Sequence, residues 1–363
     1  GAEIKEGLIP VNMFYVSQSF TDNLSAEAFY QIEWDQTVVD NCGTFFASDV
    51  AADGCNNRYA VLGADADAGD GSAGYRYVGR AGDKDARDSG QYGIALRWFS
   101  PELNDTEFGF YTMNYHSRTP IASYVAGQSV YLFPDSVEDP STGELYGKYF
   151  LEYPEDIRLH GVSFATNIGS TAVNGEISYR PNMPMQINTT DLTLGAIAQG
   201  PFAQMLGVNT NLPIFTSGHA AFGAGEELTG YVRKPLTQAQ VTATQFFDQV
   251  AGAERLTLVG EVGYSHVSNL GQNELRFGRA PEFGAGEYPT NSLCTNVANS
   301  PNPQECNDTG FYTNTSWGYR ARAILDYNDA FAGVNLKPNV AWAHDVDGYG
   351  PTFNEGNKAI SVG

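Results

Sequence analysis

Between Gly7 and Gln36 apolar and polar positions alternate along the chain. Leu24, Ala26, Ala28, Tyr30, Ile32 and Trp34 fall on one side and Ser25, Glu27, Gln31, Glu33 and Asp35 on the other, with Phe29 alone breaking the pattern. Successive side chains of a strand point to opposite faces, so this predicts a strand with one apolar and one carboxylate-bearing face. The preceding limb sets Ile9, Val11, Met13 and Tyr15 against Pro10, Asn12 and Gln18, and Thr21-Asp22-Asn23 reads as a tight turn between the limbs.

The same alternation recurs in four further hairpins. Gln91 to Ser100 places Tyr92, Ile94, Leu96 and Trp98 opposite Gln91 and Arg97, and after a turn at Pro101 to Asp105 the next limb, Thr106 to Arg118, sets Tyr111, Met113 and Tyr115 against Thr112, Asn114 and His116. A pair closed by Gly169-Ser170-Thr171 sets Val162, Phe164 and Ile168 against Ser163 and Asn167, then Val173, Ile177 and Tyr179 against Asn174, Glu176, Ser178 and Arg180. Gln238 to Phe247 and Arg255 to Ser268 form the fourth pair. Trp317 to Asn328 and Leu336 to Asp345 form the fifth, and Lys358 starts one more strand.

These limbs exceed the usual strand of about five or six residues and reach the roughly nine to eleven tilted residues that cross a bilayer. Tight turns alternate with long connections at 37–90, 119–158, 181–232 and 269–316. Outer-membrane barrels have this arrangement, with short periplasmic turns and long extracellular loops. The fold expected is therefore all-β: a transmembrane antiparallel up-and-down β-barrel, one domain over residues 1–363. In lipid every backbone group must be paired internally, so the strands are expected to close on themselves. Asp191 to Leu206 reads as one or two short helices, with Asp191 as cap and Gly200-Pro201 as interruption. That segment is either a surface excursion or a plug folded into the mouth.

Composition agrees with a wall in lipid. Charged residues are 17% of the chain, below the roughly 25% of globular domains, and Gly (40), Tyr (21) and Phe (21) are abundant. There is no apolar run of the roughly 18 residues a membrane helix needs, as expected where lipid-facing and lumen-facing residues alternate. The alternative is a soluble β-rich secreted domain. A net charge of −22 excludes a nucleic-acid partner, whose phosphates demand a basic face. Cys42 with Cys55 and Cys294 with Cys306 form two local pairs without CxxC spacing or neighbouring histidines, so loop-stapling disulfides in an oxidising compartment are expected rather than zinc. The sequence shows no initiator Met or signal peptide and opens and closes within strand-like segments, from which a piece of a longer barrel is expected.

The polar face is expected to line the lumen: Glu27, Glu33, Asp35, Arg97, Asn114, His116, Glu176, Arg180, Glu261, Arg320, Arg322 and Asp326. Such charges either prop the interior as a paired network or set the field of a route. Arg320 and Arg322 share a face and form the anion-attracting pair, while Phe14 and Phe29 are expected to intrude on the lumen. Cofactors are not expected. One candidate calcium site is Asp65, Asp67 and Asp70 in DADAGDG, which departs from the EF-hand pattern and has Arg76 where the bidentate Glu would stand.

Catalytic patterns are thin, and the chain is not expected to be an enzyme. His116, His160, His219, His266 and His344 show no HExxH spacing, no Ser sits in a GxSxG elbow, and His116 and Ser117 face opposite sides of a strand. A lipid or ester hydrolase assembled across strands is the alternative. A structural or adhesion barrel working through its loops is another.

The segments GAEIKEGLIPVNMFYVSQSFTDNLSAEAFYQIEW, TEFGFYTMNYHSRTPI, YPEDIRLHGVSFATNIGSTAVNGEISYRPNMPMQIN and TQAQVTATQFFDQVAGAERLTLVGEVG resemble the Gram-negative outer-membrane proteins catalogued as domain of unknown function 1302. The resemblance implies an outer-membrane β-barrel, often encoded beside a periplasmic lipoprotein-sorting-like protein and an inner-membrane exporter of the resistance-nodulation-division type. It implies traffic of hydrophobic or lipid-like molecules through the bacterial outer membrane, and it supplies no catalytic residues. The reading that follows is a transporter or porin-like channel for hydrophobic or amphipathic compounds, in contact with outer-membrane lipids, with homo-oligomerisation left open.

Overall fold

The computed structural model describes residues 9–44, 50–52, 55, 57–62, 76–127, 137–139, 143–197, 213–219, 225–271, 275–279, 286 and 306–363. Over these residues the chain is overwhelmingly β. In order, the strands are β1 (Met13–Thr21), β2 (Leu24–Gln31), β3 (Arg58–Leu62), β4 (Arg76–Arg80), β5 (Gln91–Ser100) and β6 (Thr106–Tyr115). There follow β7 (Ile121–Val125), β8 (Val137–Asp139), β9 (Glu144–Glu152), β10 (Ile157–Ile168), β11 (Thr171–Gln186) and β12 (Glu227–Leu228). The last are β13 (Tyr231–Asp248), β14 (Arg255–Val267), β15 (Thr315–Phe331), β16 (Val334–Leu336), β17 (Asn339–Asp347) and β18 (Lys358–Val362). Among the described residues two helices, α1 (Thr189–Ile197) and α2 (Pro213–Thr216), lie between β11 and β12.

A twelve-stranded sheet runs β1-β2-β5-β6-β10-β11-β13-β14-β15-β17-β18, with β16 attached to β15. Every pairing in it is antiparallel. These are the strands expected from the alternation, now joined in one wall. The wall does not close on itself: among the described residues β1 pairs only with β2 and β18 only with β17.

The connections expected to be loops contain structure of their own. From them come the strands of a second, six-stranded sheet, β12-β7-β9-β4-β3 with β8 on β9, in which β4 and β9 are parallel. Its core joins Val78, Tyr124, Tyr149 and Leu228 from these strands to Leu192 and Ile214 from the helices, and to Met185, Leu236 and Val267 from the ends of the wall strands. A fully buried Leu or Ile side chain contributes about 1.5–3 kcal/mol, so this cluster anchors a cap to one end of the wall. Helix α1 is capped by Asn188, whose Oδ1 accepts the Asp191 N–H at 3.1 Å, and not by Asp191 as the sequence suggests.

β11 also runs further than its sequence pattern implies, through Pro181 and Pro184 to Gln186. Proline cannot donate to the ladder, and the sheet accommodates it with a register shift between Arg180 and Met183. Asn182 fills the gap, with its Oδ1 accepting the Arg158 N–H (2.9 Å) and its Nδ2 donating to the Asp156 carbonyl (2.7 Å).

Cys42 and Cys55 are disulfide-bonded with their Cα atoms 5.5 Å apart. Cys306 is disulfide-bonded as well, and its expected partner Cys294 lies outside the described residues.

Candidate functional site

Residues directly opposite on neighbouring strands share a face, so the register identifies rows of side chains that cross the wall. One row runs Ala26, Leu96, Phe110, Val162, Ile177, Ala239, Tyr264, Trp317. It is apolar throughout and open: Val162 is 43% exposed, Ile177 51% and Tyr264 41%. The row behind it on the other face runs Ser19, Ser25, Arg97, Gly109, Ser163, Glu176, Gln240, Gly263, Gly318, Asp345. Every member is polar or glycine. The two faces of one sheet thus differ in chemistry along these rows.

Along the polar face, exposure changes with distance from the cap. Near the long connections Gln91, Ser265, Ser316 and Asp345 are buried, as are Leu236 and Val267. On the apolar face in the same part of the wall, Tyr92, Tyr264 and Trp317 stay open. The cap therefore sits against the polar side of the wall at one end. Phe353, from the β17–β18 connection, lies over Gly263 and Gly318, where any added Cβ would meet its ring at 2.8 and 3.0 Å. Glycine at those two positions is what admits the ring.

Eight of the charged residues expected on the polar face are placed there by the register. Glu27 and Glu107 flank Arg97 at 3.8 and 3.4 Å. Glu176 stands between Ser163 and Gln240. Arg180 donates to Gln238 Oε1 (2.6 Å) and to the Tyr115 hydroxyl (3.2 Å). Glu261 accepts from Thr242 (2.9 Å), Arg320 pairs with Asp345 (2.7 Å), and Arg322 donates to Asn339 Oδ1 (3.1 Å). Asp326 shares their face, opposite Arg255, and pairs with Lys337 (2.9 Å).

The others differ. Glu33 and Asp35 lie past the end of β2, where Glu33 accepts two bonds from Asn12 and the Asp35 carbonyl accepts from Arg118. Asn114 sits opposite Tyr92 and is on the apolar face. β6 has apolar residues in both parities, Phe108 and Phe110 against Tyr111 and Met113, and pairing with Leu96 and Trp98 sends the phenylalanines to the apolar side. Tyr111 and Met113 go to the polar side, where Tyr111 bonds Ser163 at 3.0 Å. On β1 the faces are likewise exchanged: Phe14 lies opposite Tyr30 on the apolar face, while Tyr15 lies opposite Phe29 on the polar one. Phe29 does turn to the polar side, over Gly93, and Phe14 does not. Asp65, Asp67 and Asp70 fall outside the described residues.

His116 lies past the end of β6 and is 1% exposed. Its Nδ1 accepts the Asp156 N–H (3.0 Å) and its Nε2 donates to the Ser89 carbonyl (2.8 Å), so both ring nitrogens are committed to backbone. It ties three connections together, and it is not placed to act as a base for Ser117. Beside it, a hydrogen bond from Arg87 (2.6 Å) holds the Asp156 carboxyl below its ordinary range, helped by Asn114.

In the cap, burial pushes the Tyr149 hydroxyl up to about 12, and it donates to the Val50 carbonyl at 2.9 Å. Asp191 and Arg276, both buried, form a two-pronged ion pair whose Nε–Oδ2 arm is 2.9 Å. Arg276 and Arg279 both pack on the Phe311 ring, at 4.5 and 5.2 Å. The polar-face groups Gln238, Gln240 and Thr242 were legible in the alternation QAQVTATQ. Asp345 could have been found from its shared parity with Ala341 and Ala343. The Asp191–Arg276 pair could not, because its partners are 85 residues apart.

A family model described as Protein of unknown function (DUF1302) matches residues 1–363. No curated protein matches the chain.

Proposed function

We propose that this chain, which belongs to the DUF1302 family, is an outer-membrane transporter or porin-like conduit that passes amphipathic, lipid-like compounds along the polar face of its wall. The observation that carries the reading is the pair of rows described above, one apolar and exposed, the other polar. An exposed face of Leu, Ile, Val and aromatic residues across the wall far exceeds the few hundred Å² that water-soluble monomers tolerate, and lipid is its natural solvent. Aromatic rings lie at two levels of that face, with Tyr30, Tyr92, Tyr179 and Tyr264 toward the long connections and Trp98 and Phe108 toward the tight turns. Tyr92 and Trp98 are about 20 Å apart along β5 at about 3.3 Å per residue, close to the roughly 25 Å apolar band of outer-membrane barrels.

The polar face carries apolar as well as charged side chains, which favours an amphipathic cargo. Tyr15, Phe29, Met113 and Leu159 stand on β1, β2, β6 and β10, whereas Glu176, Gln240, Thr242, Glu261 and Arg322 stand on β11 to β15. A compound with an apolar body and a polar head meets both. The cap against one end supports a gated conduit rather than an open hole. The six-stranded sheet and its helices would then face the outside, and the tight turns the periplasm.

Conductance of the full-length protein in a planar bilayer tests this. The reading expects low or silent conductance in the intact protein and sustained conductance after Arg276→Gln loosens the cap. No conductance, and no passage of an amphipathic fluorescent dye into vesicles, from either protein would remove it.

A further inference from the structure

The polar face holds a groove of about 370 Å³ between β14 and β18, at the small end of ligand sites. Glu261, Arg320 and Arg322 line it together with Ala341, Ala343 and Ala359, and most of its surface is apolar. The charges in it are unevenly satisfied. Asp345, itself buried, draws Arg320 into an ion pair at 2.7 Å. Glu261 stands directly opposite Arg320 on the neighbouring strand, yet its carboxylate is left with the Thr242 hydroxyl at 2.9 Å and no cation at ion-pair distance among the described residues. Arg322, one step further along the same face, donates to the neutral amide of Asn339 at 3.1 Å and meets no carboxylate at ion-pair distance among the described residues. One anion and one cation therefore remain uncompensated in a single groove. They are diagonal cross-strand neighbours, roughly 7–8 Å apart at the backbone, and each side chain is turned to its own neutral partner instead of to the other.

We infer that this groove binds the head of a zwitterionic amphiphile, its anionic group on Arg322, its ammonium on Glu261, and the start of its apolar body on the alanine floor. The argument is one of matching. A purely anionic head would gain Arg322 and be repelled by Glu261, and a purely cationic head the reverse. A head carrying both charges a few ångströms apart satisfies both groups at once, and charge-assisted contacts are the stronger class of hydrogen bond. The inference rests on taking the polar face as the route, and it narrows the cargo to molecules with a phosphate-and-ammonium type of head.

The full-length protein in a maltoside detergent is titrated with diheptanoylphosphatidylethanolamine, with diheptanoylphosphatidylglycerol, and with diheptanoylglycerol, which lacks the charged head. The zwitterionic lipid is expected to bind tightest. Glu261→Gln and Arg322→Gln should each weaken it about tenfold, the scale of one charge-assisted contact. The two substitutions should part on the anionic lipid, which Arg322→Gln weakens and Glu261→Gln strengthens. Ala343→Leu, which fills the floor without removing a charge, should weaken all three. Equal affinity for the three lipids, or zwitterion binding indifferent to both charge substitutions, would overturn the inference. If dye still passes through such a protein, the transport reading survives the loss. Failure of both binding and passage removes the two together.

Discussion

The cap and the middle of the wall are held by different physics. In the cap the interior is dry: Val78, Ile187, Leu192 and Ile214 have no exposed surface, and Asp191 and Arg276 are buried as an ion pair. In mid-wall the exposed side chains include large apolar ones, with Ile94 at 55% and Val262 at 53%, while the face behind them carries the charged and polar groups along with Phe29 and Met113. The cap is a folded unit that sorts residues as water-soluble proteins do. The wall inverts that sorting, and only its hydrogen-bonded ladder is common to both. One chain therefore carries one region that buries its apolar side chains and another that displays them on one face.

The strongest way to break the cap without touching the wall is Arg276→Ala. It removes the ion pair from the buried Asp191 carboxylate, a defect of roughly 3–5 kcal/mol. Protease cleavage within the connections should accelerate while the wall strands stay protected. Equal sensitivity of both regions would mean that they unfold together.

The next effect belongs to the wall. Val262→Arg places a charge in the apolar row and should cost about 2–4 kcal/mol in a bilayer, whereas Gln240→Arg, on the polar face, should change stability by about 0.5 kcal/mol or less. Denaturant unfolding of the reconstituted protein separates the two. Similar costs at both positions would erase the distinction between the faces.

The smallest effect is one of pH. Asp156 has its folded carboxyl depressed below the ordinary 3.8, chiefly by its hydrogen bond from Arg87. A depressed carboxyl stabilises fully above the unfolded value and loses that contribution as pH falls through the folded value. The junction of the cap connections should therefore weaken below about pH 3.8, and Asp156→Asn should flatten that dependence. Hydrogen exchange at the amides near His116, measured from neutral to acid pH, reads this directly.

The wall was legible in the sequence because a period of two survives wherever one face is apolar. β5, β11 and β14 show it cleanly, down to which residues face together. It misled where apolar residues occupy both parities, as in Phe108-Gly109-Phe110-Tyr111, and there only pairing with β5 decides the face. The cap's strands were not legible. Its short strands pair across long separations, Val125 with Glu227 for example, and its one parallel pairing joins β4 to β9, so no local pattern announces it. The helix was legible as a helix, but its cap residue was misplaced by three positions because Asn188 and Asp191 offer the same chemistry. Of the expected lumen residues, those within strands with a clean alternation kept their place, and Asn114, His116, Glu33 and Asp35, at or beyond strand ends, did not.

The central claim is that the two faces of the wall meet different solvents. Its most direct test is a spin label at Val262→Cys and, separately, at Gln240→Cys in the protein reconstituted in lipid, with collision by oxygen and by a water-soluble nickel chelate measured at each. Position 262 should collide with oxygen and be shielded from the chelate, and position 240 should show the reverse. Equal access of the chelate to both positions would contradict the account.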